Sequence, residues 1–251
     1  MKRILALLLI STFAQAEDTA LTRIQLTKGV TVERDLASKD GQYLFLVRTG
    51  TWQINGSMFN RANNHQLHFT GTQKGYTLNL QSTANAENST QPEFLYNGTL
   101  NLQSNRIDGV MTTPDKQQAI TFEPYLPVAN RPAFQFKFYG TPSRQVTQVQ
   151  VLQNNKVVQT LSGFVTNDNE ATYADYNFDG YFDLRLDSSD TSHQYWLYNP
   201  KTKKFQFDSE LSQYAEVPQR YPHKYILKFG NTLLERRNSK WYEIPCCTAI
   251  N

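Results

Sequence analysis

Residues 175–186 read DYNFDGYFDLRL. Oxygen-bearing side chains stand at Asp175, Asn177 and Asp179, Gly180 comes next, and Asp183 closes the polar part. A calcium loop of the EF-hand type takes hard oxygen ligands from positions 1, 3, 5, 7 and 9, turns sharply at a glycine in position 6, and ends on a bidentate glutamate at position 12. Counted from Asp175, the first six positions fit and position 9 is Asp183, but position 12 is Leu186. The residues after the glycine decide the fold. Phe182, Leu184 and Leu186 fall on one side of an extended chain, with Tyr181, Asp183 and Arg185 on the other. The loop therefore feeds a strand and not a helix, and the closing carboxylate moves to Asp183. The expectation is one Ca2+ held by Asp175, Asn177, Asp179 and Asp183 with the Tyr181 carbonyl. Asp187 or Asp190 is available as a further ligand. The alternative is an Asx-rich turn with Gly180 in the left-handed conformation. Three carboxylates packed so closely without a cation would repel one another and raise their own pKa values.

Outward from the loop the pattern is strand after strand. QYLFLVR (Gln42–Arg48), TWQI (Thr51–Ile54), QLHFT (Gln66–Thr70), YTLNLQ (Tyr76–Gln81), EFLYNGTLNLQ (Glu93–Gln103), RIDGVM (Arg106–Met111) and AITFEPY (Ala119–Tyr125) fill the first half. FQFKFYG (Phe134–Gly140), VTQVQVL (Val146–Leu152), KVVQTL (Lys156–Leu161), YFDLRL (Tyr181–Leu186), QYWLY (Gln194–Tyr198) and KFQF (Lys204–Phe207) fill the second. Most alternate apolar and polar residues, as half-buried strands do. Ser209–Tyr214 is the one helix candidate. TLNLQS occurs twice, at Thr77–Ser82 and Thr99–Ser104. Short, regular strands with such an echo predict an all-β chain, read as a small propeller of about five blades or as two β-sandwich-like segments. The composition changes at Leu126–Pro132 (LPVANRP), which divides residues 17–125 from 126–251, unless 17–251 is one continuous propeller.

Lys2 and Arg3, an apolar run from Ile4 to Phe13, and Ala14-Gln15-Ala16 read as a signal peptide over residues 1–16. The run is too short to span a bilayer. The expected destination is a bacterial periplasm, with secretion as the alternative, and no transmembrane segment. Without Lys2 and Arg3 the formal charge falls from +3 by those two cations to +1, which leaves no electrostatic footprint for nucleic acid. The only two cysteines, Cys246 and Cys247, are adjacent and cannot close a large loop.

A catalytic set is not legible. His65 and His68 are three apart, which on a strand puts them on opposite faces. There is no GxSxG elbow and no HExxH. Glu87, Glu93, Glu123 and Glu243 read as solvated positions. The chain is expected not to be an enzyme. Aromatic residues make up 13 % of it and crowd around the loop. Trp196 and Phe182 read as core, while Tyr173, Tyr176, Tyr181, Tyr195 and Tyr198 divide between the core and a protein-binding surface.

ATYADYNFDGYFDLRL followed by QYWLYNPKTKKFQFDSEL resembles bacterial periplasmic proteins that pair an aspartate-rich loop with a YWLYNP hairpin. The resemblance covers about residues 134–216. Its best-understood members are immunity proteins, which protect bacteria that kill neighbours through a type IV secretion system. The resemblance implies a propeller with a calcium loop, and inhibition of a secreted lysozyme-like peptidoglycan hydrolase. It carries over to Asp175, Asn177, Asp179, Tyr181 and Asp183. The alternative is a calcium-stabilised envelope scaffold or adhesion-type protein without inhibitor activity.

Overall fold

The computed structural model describes residues 21–50, 53–82 and 94–245. The expected signal peptide, Glu87, Glu93, Cys246 and Cys247 lie outside the described residues. After a short β1 (Thr22–Ile24), eight strands succeed one another along the chain. They are β2 (Gly29–Ser38), β3 (Tyr43–Thr49), β4 (Gln53–Asn60), β5 (His65–Lys74), β6 (Thr77–Ser82), β7 (Leu95–Asn101), β8 (Arg106–Thr112) and β9 (Gln117–Pro124). Each pairs antiparallel with the next, and β9 returns to β2 through Leu36↔Pro124, Ala37↔Glu123 and Ser38↔Phe122. The result is a closed eight-stranded barrel.

Alternation builds this barrel directly. Along β3, Tyr43, Phe45, Val47 and Thr49 point in; along β6, Leu78 and Leu80; along β7, Tyr96 and Leu100. Eight strands enclose just enough space for side chains. Here that space is filled by aromatic rings in contact, Phe45 on Phe122 at 4.8 Å and Tyr96 on Phe122 at 5.5 Å. Gly98 and Gly109 face one another across β7 and β8 and leave room for the Tyr96 ring. Outward positions on β6 and β7 carry exposed Asn79, Gln81, Asn97 and Thr99 beside Leu95, and those on β3 carry half-buried Leu44, Leu46 and Arg48. Among the described residues no helix is long and apolar enough to cross a membrane.

The chain then builds three stacked sheets. β10 (Gln135–Gly140), β11 (Val146–Gln153) and β12 (Lys156–Thr166) join β1 in one of them. β13 (Glu170–Ala174), β14 (Asp183–Ser189), β15 (Ser192–Asn199) and β16 (Lys204–Asp208) form the middle layer. A single helical turn, α1 (Ser209–Ser212), capped by the Asp208 carboxylate, stands where the helix candidate was expected. β17 (Gln219–Tyr221), β18 (Ile226–Phe229), β19 (Thr232–Arg237) and β20 (Lys240–Ile244) form the last sheet. One apolar core, with Phe138, Val149, Tyr173, Leu184 and Tyr198, lies between the first two layers. A second, with Tyr176, Phe178, Tyr195, Leu227 and Trp241, lies between the middle and last layers. β14 is therefore buried on both faces from Asp183 to Leu186.

The middle layer is continuous with the barrel. β13 pairs in parallel with the first half of β2, from Gly29↔Glu170 to Val32↔Tyr173, on the edge whose second half pairs with β9. The all-β expectation holds, but a five-bladed propeller is not what the pairing shows. The TLNLQS echo does not mark a repeat either. The first copy is all of β6, whereas the second begins near the end of β7 and runs on into a turn, and only Thr99 of it pairs with the first copy, at Thr77.

The packed barrel makes a prediction. A Cβ at Gly98 would stand 2.8 Å from both Ile107 Cγ2 and Tyr96 Cε1, so Gly98→Ala is expected to cost about 1–3 kcal/mol in urea unfolding. The Tyr96 hydroxyl is buried with no hydrogen-bond partner among the described residues, so Tyr96→Phe is expected to leave the midpoint unchanged or raise it. A wild-type midpoint for Gly98→Ala would mean that the barrel interior has slack.

Candidate functional site: the aspartate loop between β13 and β14

Residues 175–182 connect two paired strands, with Ala174↔Asp183 as the last pair before the loop opens. The polar side chains fold the loop by binding its own amides. The Asp175 carboxylate accepts from the amides of Asp179 (3.2 Å) and Gly180 (2.7 Å). Asn177 Oδ1 accepts from the same Asp179 amide at 3.1 Å, and Asp179 Oδ1 from the Tyr181 amide at 2.9 Å. Asn177 Nδ2 donates to Asp179 Oδ2 at 3.1 Å. Asp183 acts across strands: Oδ2 accepts from the Tyr176 amide and Oδ1 from the Tyr198 amide, both at 2.8 Å.

Two backbone features hold the turn. Gly180 has φ +86°, and a Cβ there would strike Val128 and come within 3.0 Å of the Leu126 carbonyl oxygen. Only glycine meets both demands. Phe178 has φ +56°, an uncommon conformation for a bulky residue. Its ring is buried in the last core beside Tyr225 and Trp241, at 6.1 and 6.2 Å between centroids. Phe182 goes the other way, onto Tyr173 at 5.1 Å. The loop is thus pinned to both cores that flank the middle layer.

Asp175, Asn177 and Asp183 are buried, Asp179 stands at the solvent edge, and Tyr181 is half-buried. None of the three aspartates enters an ion pair among the described residues. Burial, then the charge of Asp179, pushes the Asp175 carboxyl up to about 7. Burial and the neighbouring Asp175 and Asp179 charges push Asp183 well above the carboxylate range, and burial raises Asp179 as well. Guanidinium groups stand near without closing on them. Arg131 lies over the Phe182 ring at 4.5 Å and donates to the Leu126 carbonyl, and Arg236 lies over Trp241 at 4.9 Å.

Four of the expected ligands lie in this loop and the fifth, Asp183, opens β14 beside it; in kind they suit a hard cation, being carboxylate, amide and carbonyl oxygens whose carboxyl groups form no ion pair among the described residues. Among the described residues no three carboxylate, imidazole or thiol groups are gathered closely enough to form a ready-made metal centre. The reason is visible in the hydrogen bonds, which commit Asp175 and Asp183 to backbone amides. Each carboxylate oxygen keeps a second lone pair. Asp187 is occupied by Arg185 (2.9 Å) and His193 (2.7 Å), and Asp190 is exposed.

The sequence placed some tyrosines on a binding surface. Tyr173, Tyr176, Tyr195 and Tyr198 are instead buried, because the middle layer is covered on both faces. Trp196 is half-buried, against Phe164 and Phe207. His65 and His68 are both exposed, while Leu67 and Phe69 between and beside them turn inward. A residue that sequence reasoning missed is Arg220. Its Nη1 donates to the Asp175 carbonyl at 3.1 Å while the guanidinium pairs with Glu33 and Asp35 on β2. Its only sequence signal is the charged run Glu33-Arg34-Asp35, far away along the chain.

No protein-family model and no curated protein matches the chain.

The raised Asp175 pKa has a defined consequence for the calcium-free protein. Between an ordinary carboxylate pKa of 3.8 and about 7, the folded state holds a proton that the unfolded state has lost. Stability is therefore greatest at the acid end of that window and falls as pH rises through about 7, by up to ~1.4 kcal/mol per pH unit. In EDTA, the urea midpoint is expected to drop from pH 5 to pH 8, and Asp175→Asn to make that drop smaller, the remainder coming from Asp183 and Asp179, which burial raises in the same sense. Parallel profiles for the two proteins would show that Asp175 is not the group responsible.

Proposed function

We propose that this chain is an exported, periplasmic binding protein that takes one Ca2+ in the 175–183 loop and inhibits a lysozyme-like, peptidoglycan-cleaving enzyme. The observation that carries the calcium half is that the buried carboxyl groups of Asp175 and Asp183 meet no basic side chain at ion-pair distance among the described residues. Asp175, Asn177, Asp179, Asp183 and the Tyr181 carbonyl are the residues that would hold the ion. It would supply the positive charge the loop lacks. Calcium rather than zinc suits this set, which is all oxygen. A site without the position-12 glutamate binds at the weak end of the calcium range, which suits compartments with millimolar calcium.

The inhibitory half rests on the likeness of residues 134–216 to immunity proteins. It draws support from the setting of the loop, since a hairpin clamped between two apolar cores can present a surface without paying to order it on binding. The barrel, filled with side chains, offers no interior for a substrate. The function would then lie in surfaces.

One preparation tests both halves. Calcium at about 100 times its Kd is expected to stabilise the protein by about 2.7 kcal/mol, and Asp179→Ala to remove that gain. The wild-type protein is expected to retain a lysozyme-like hydrolase from periplasmic extract and to suppress its lytic activity, more strongly with calcium than in EDTA. An unchanged melting temperature on chelation removes the calcium half. No effect on any lysozyme-like enzyme removes the inhibitory half.

A further inference from the structure

Strand β10 is paired along its whole length on one side only. Toward β11 the register runs from Gln135↔Leu152 to Gly140↔Val146. On the other side β1 covers only Phe138, Tyr139 and Gly140. Beyond Ile24 the chain leaves β10, and the amides of Thr27 and Lys28 bond the carbonyls of Asp168 and Asn169, each at 2.8 Å. Among the described residues Gln135–Lys137 are left as an open strand edge, about 10 Å long at 3.4 Å per residue.

A groove of about 520 Å³ occupies the gap between this edge and the departing chain. Half-buried Phe136 gives it an apolar wall, and Gly29, with no side chain, leaves its end open. Arg23 and Lys137 supply its charge; neither enters an ion pair among the described residues, and no carboxylate lines the groove. Open edges invite pairing, and proteins usually block them. This protein does so elsewhere. The Gln159 side chain stands in for a strand against β16, donating to the Phe205 carbonyl and accepting from the Phe205 amide, both at 2.8 Å. Among the described residues the β10 edge has no such plug.

We infer that this groove receives an extended, acidic segment of a protein partner, added as a further strand to β10. Backbone hydrogen bonding to Gln135–Lys137 would give the affinity, an apolar residue on Phe136 the register, and carboxylates facing Arg23 and Lys137 the sign of charge. This site is separate from the aspartate loop and does not depend on calcium.

The test uses the full mature chain and three fluorescein-labelled peptides: Glu-Val-Glu-Val-Glu, its lysine counterpart Lys-Val-Lys-Val-Lys, and Glu-Val-Pro-Val-Glu. By anisotropy the first is expected to bind at least tenfold more tightly than either of the others. Amide chemical-shift changes are expected to centre on Gln135–Lys137 and Arg23–Leu26. The doubly reversed variant Arg23→Glu, Lys137→Glu, whose folding is checked by its melting temperature, is expected to prefer the lysine peptide. Equal binding of the acidic and basic peptides overturns the charge assignment. Full binding of the proline peptide overturns strand addition, and shift changes confined to another surface overturn the location.

Discussion

The architecture hangs on strand β2 and on the charge cluster that its outer face carries. On one edge β2 pairs with β3; on the other it pairs first with β13 and then with β9. One strand thus closes the barrel and starts the layered half. Arg220, from the last sheet, reaches its middle with a side chain only 1 % exposed, and bonds Glu33 at 3.1 Å as well as Asp35. The same guanidinium holds the Asp175 carbonyl. Three parts of the molecule therefore share one buried cation. Such a cluster contributes little net stability, because desolvation offsets the attraction, but losing one member strands the others. Its two carboxylates show the balance. Burial works against ionising Glu33, yet Arg220 and Arg48 together hold it below its usual range. Among the described residues Asp35 is paired with Arg220 alone, and burial pushes it up.

The opposite face of β2 changes allegiance along its length. Val30 and Val32 pack into the layered core, while Leu36 packs into the barrel. Between them stands Arg34, buried and without a carboxylate partner among the described residues, bonded to the Thr49 hydroxyl and the Val32 carbonyl. Burial, then the charge of Arg131, lowers its pKa to about 10, so it stays charged at neutral pH. A two-residue slip of β2 would carry this charge into one apolar core or the other. The position is costly, and that cost fixes where one core ends and the next begins.

These features explain what the sequence could tell. β3, β6 and β7 each bury one face, and their alternation is plain in the residues. β2 is the strand that alternation cannot find, because Glu33, Arg34 and Asp35 put charge on both faces in succession. Closure was equally hidden. A strand with one buried face reads the same in a blade, a sandwich or a barrel, since the pattern records burial and not the pairing partner. The tyrosines near the loop went astray for a related reason: residues on both faces of β13 and β15 are buried only because a third sheet, 219–244, covers the middle layer. The loop itself was legible because Asx spacing and a glycine act locally. Its electrostatic setting was not, because Arg131, Arg220 and Arg236 arrive from other parts of the chain.

The loop's chemistry derives from where it is pinned. Phe178 is anchored in the core on one side of the middle layer and Phe182 in the core on the other. Gly180 presses against Leu126 and Val128. A loop free to move would relieve the crowding of its aspartates by turning them to water, as Asp179 does at the solvent edge. Asp175 and Asp183 have no such freedom, because their carboxylates are the acceptors that hold the backbone in place. Their charge can be relieved only by a proton or by a cation brought to the loop. The proton is available below about pH 7 and becomes scarce above it. A divalent cation does the same work without that limit, and the anchoring that denies the aspartates access to water is also what would keep their oxygens in place to receive it.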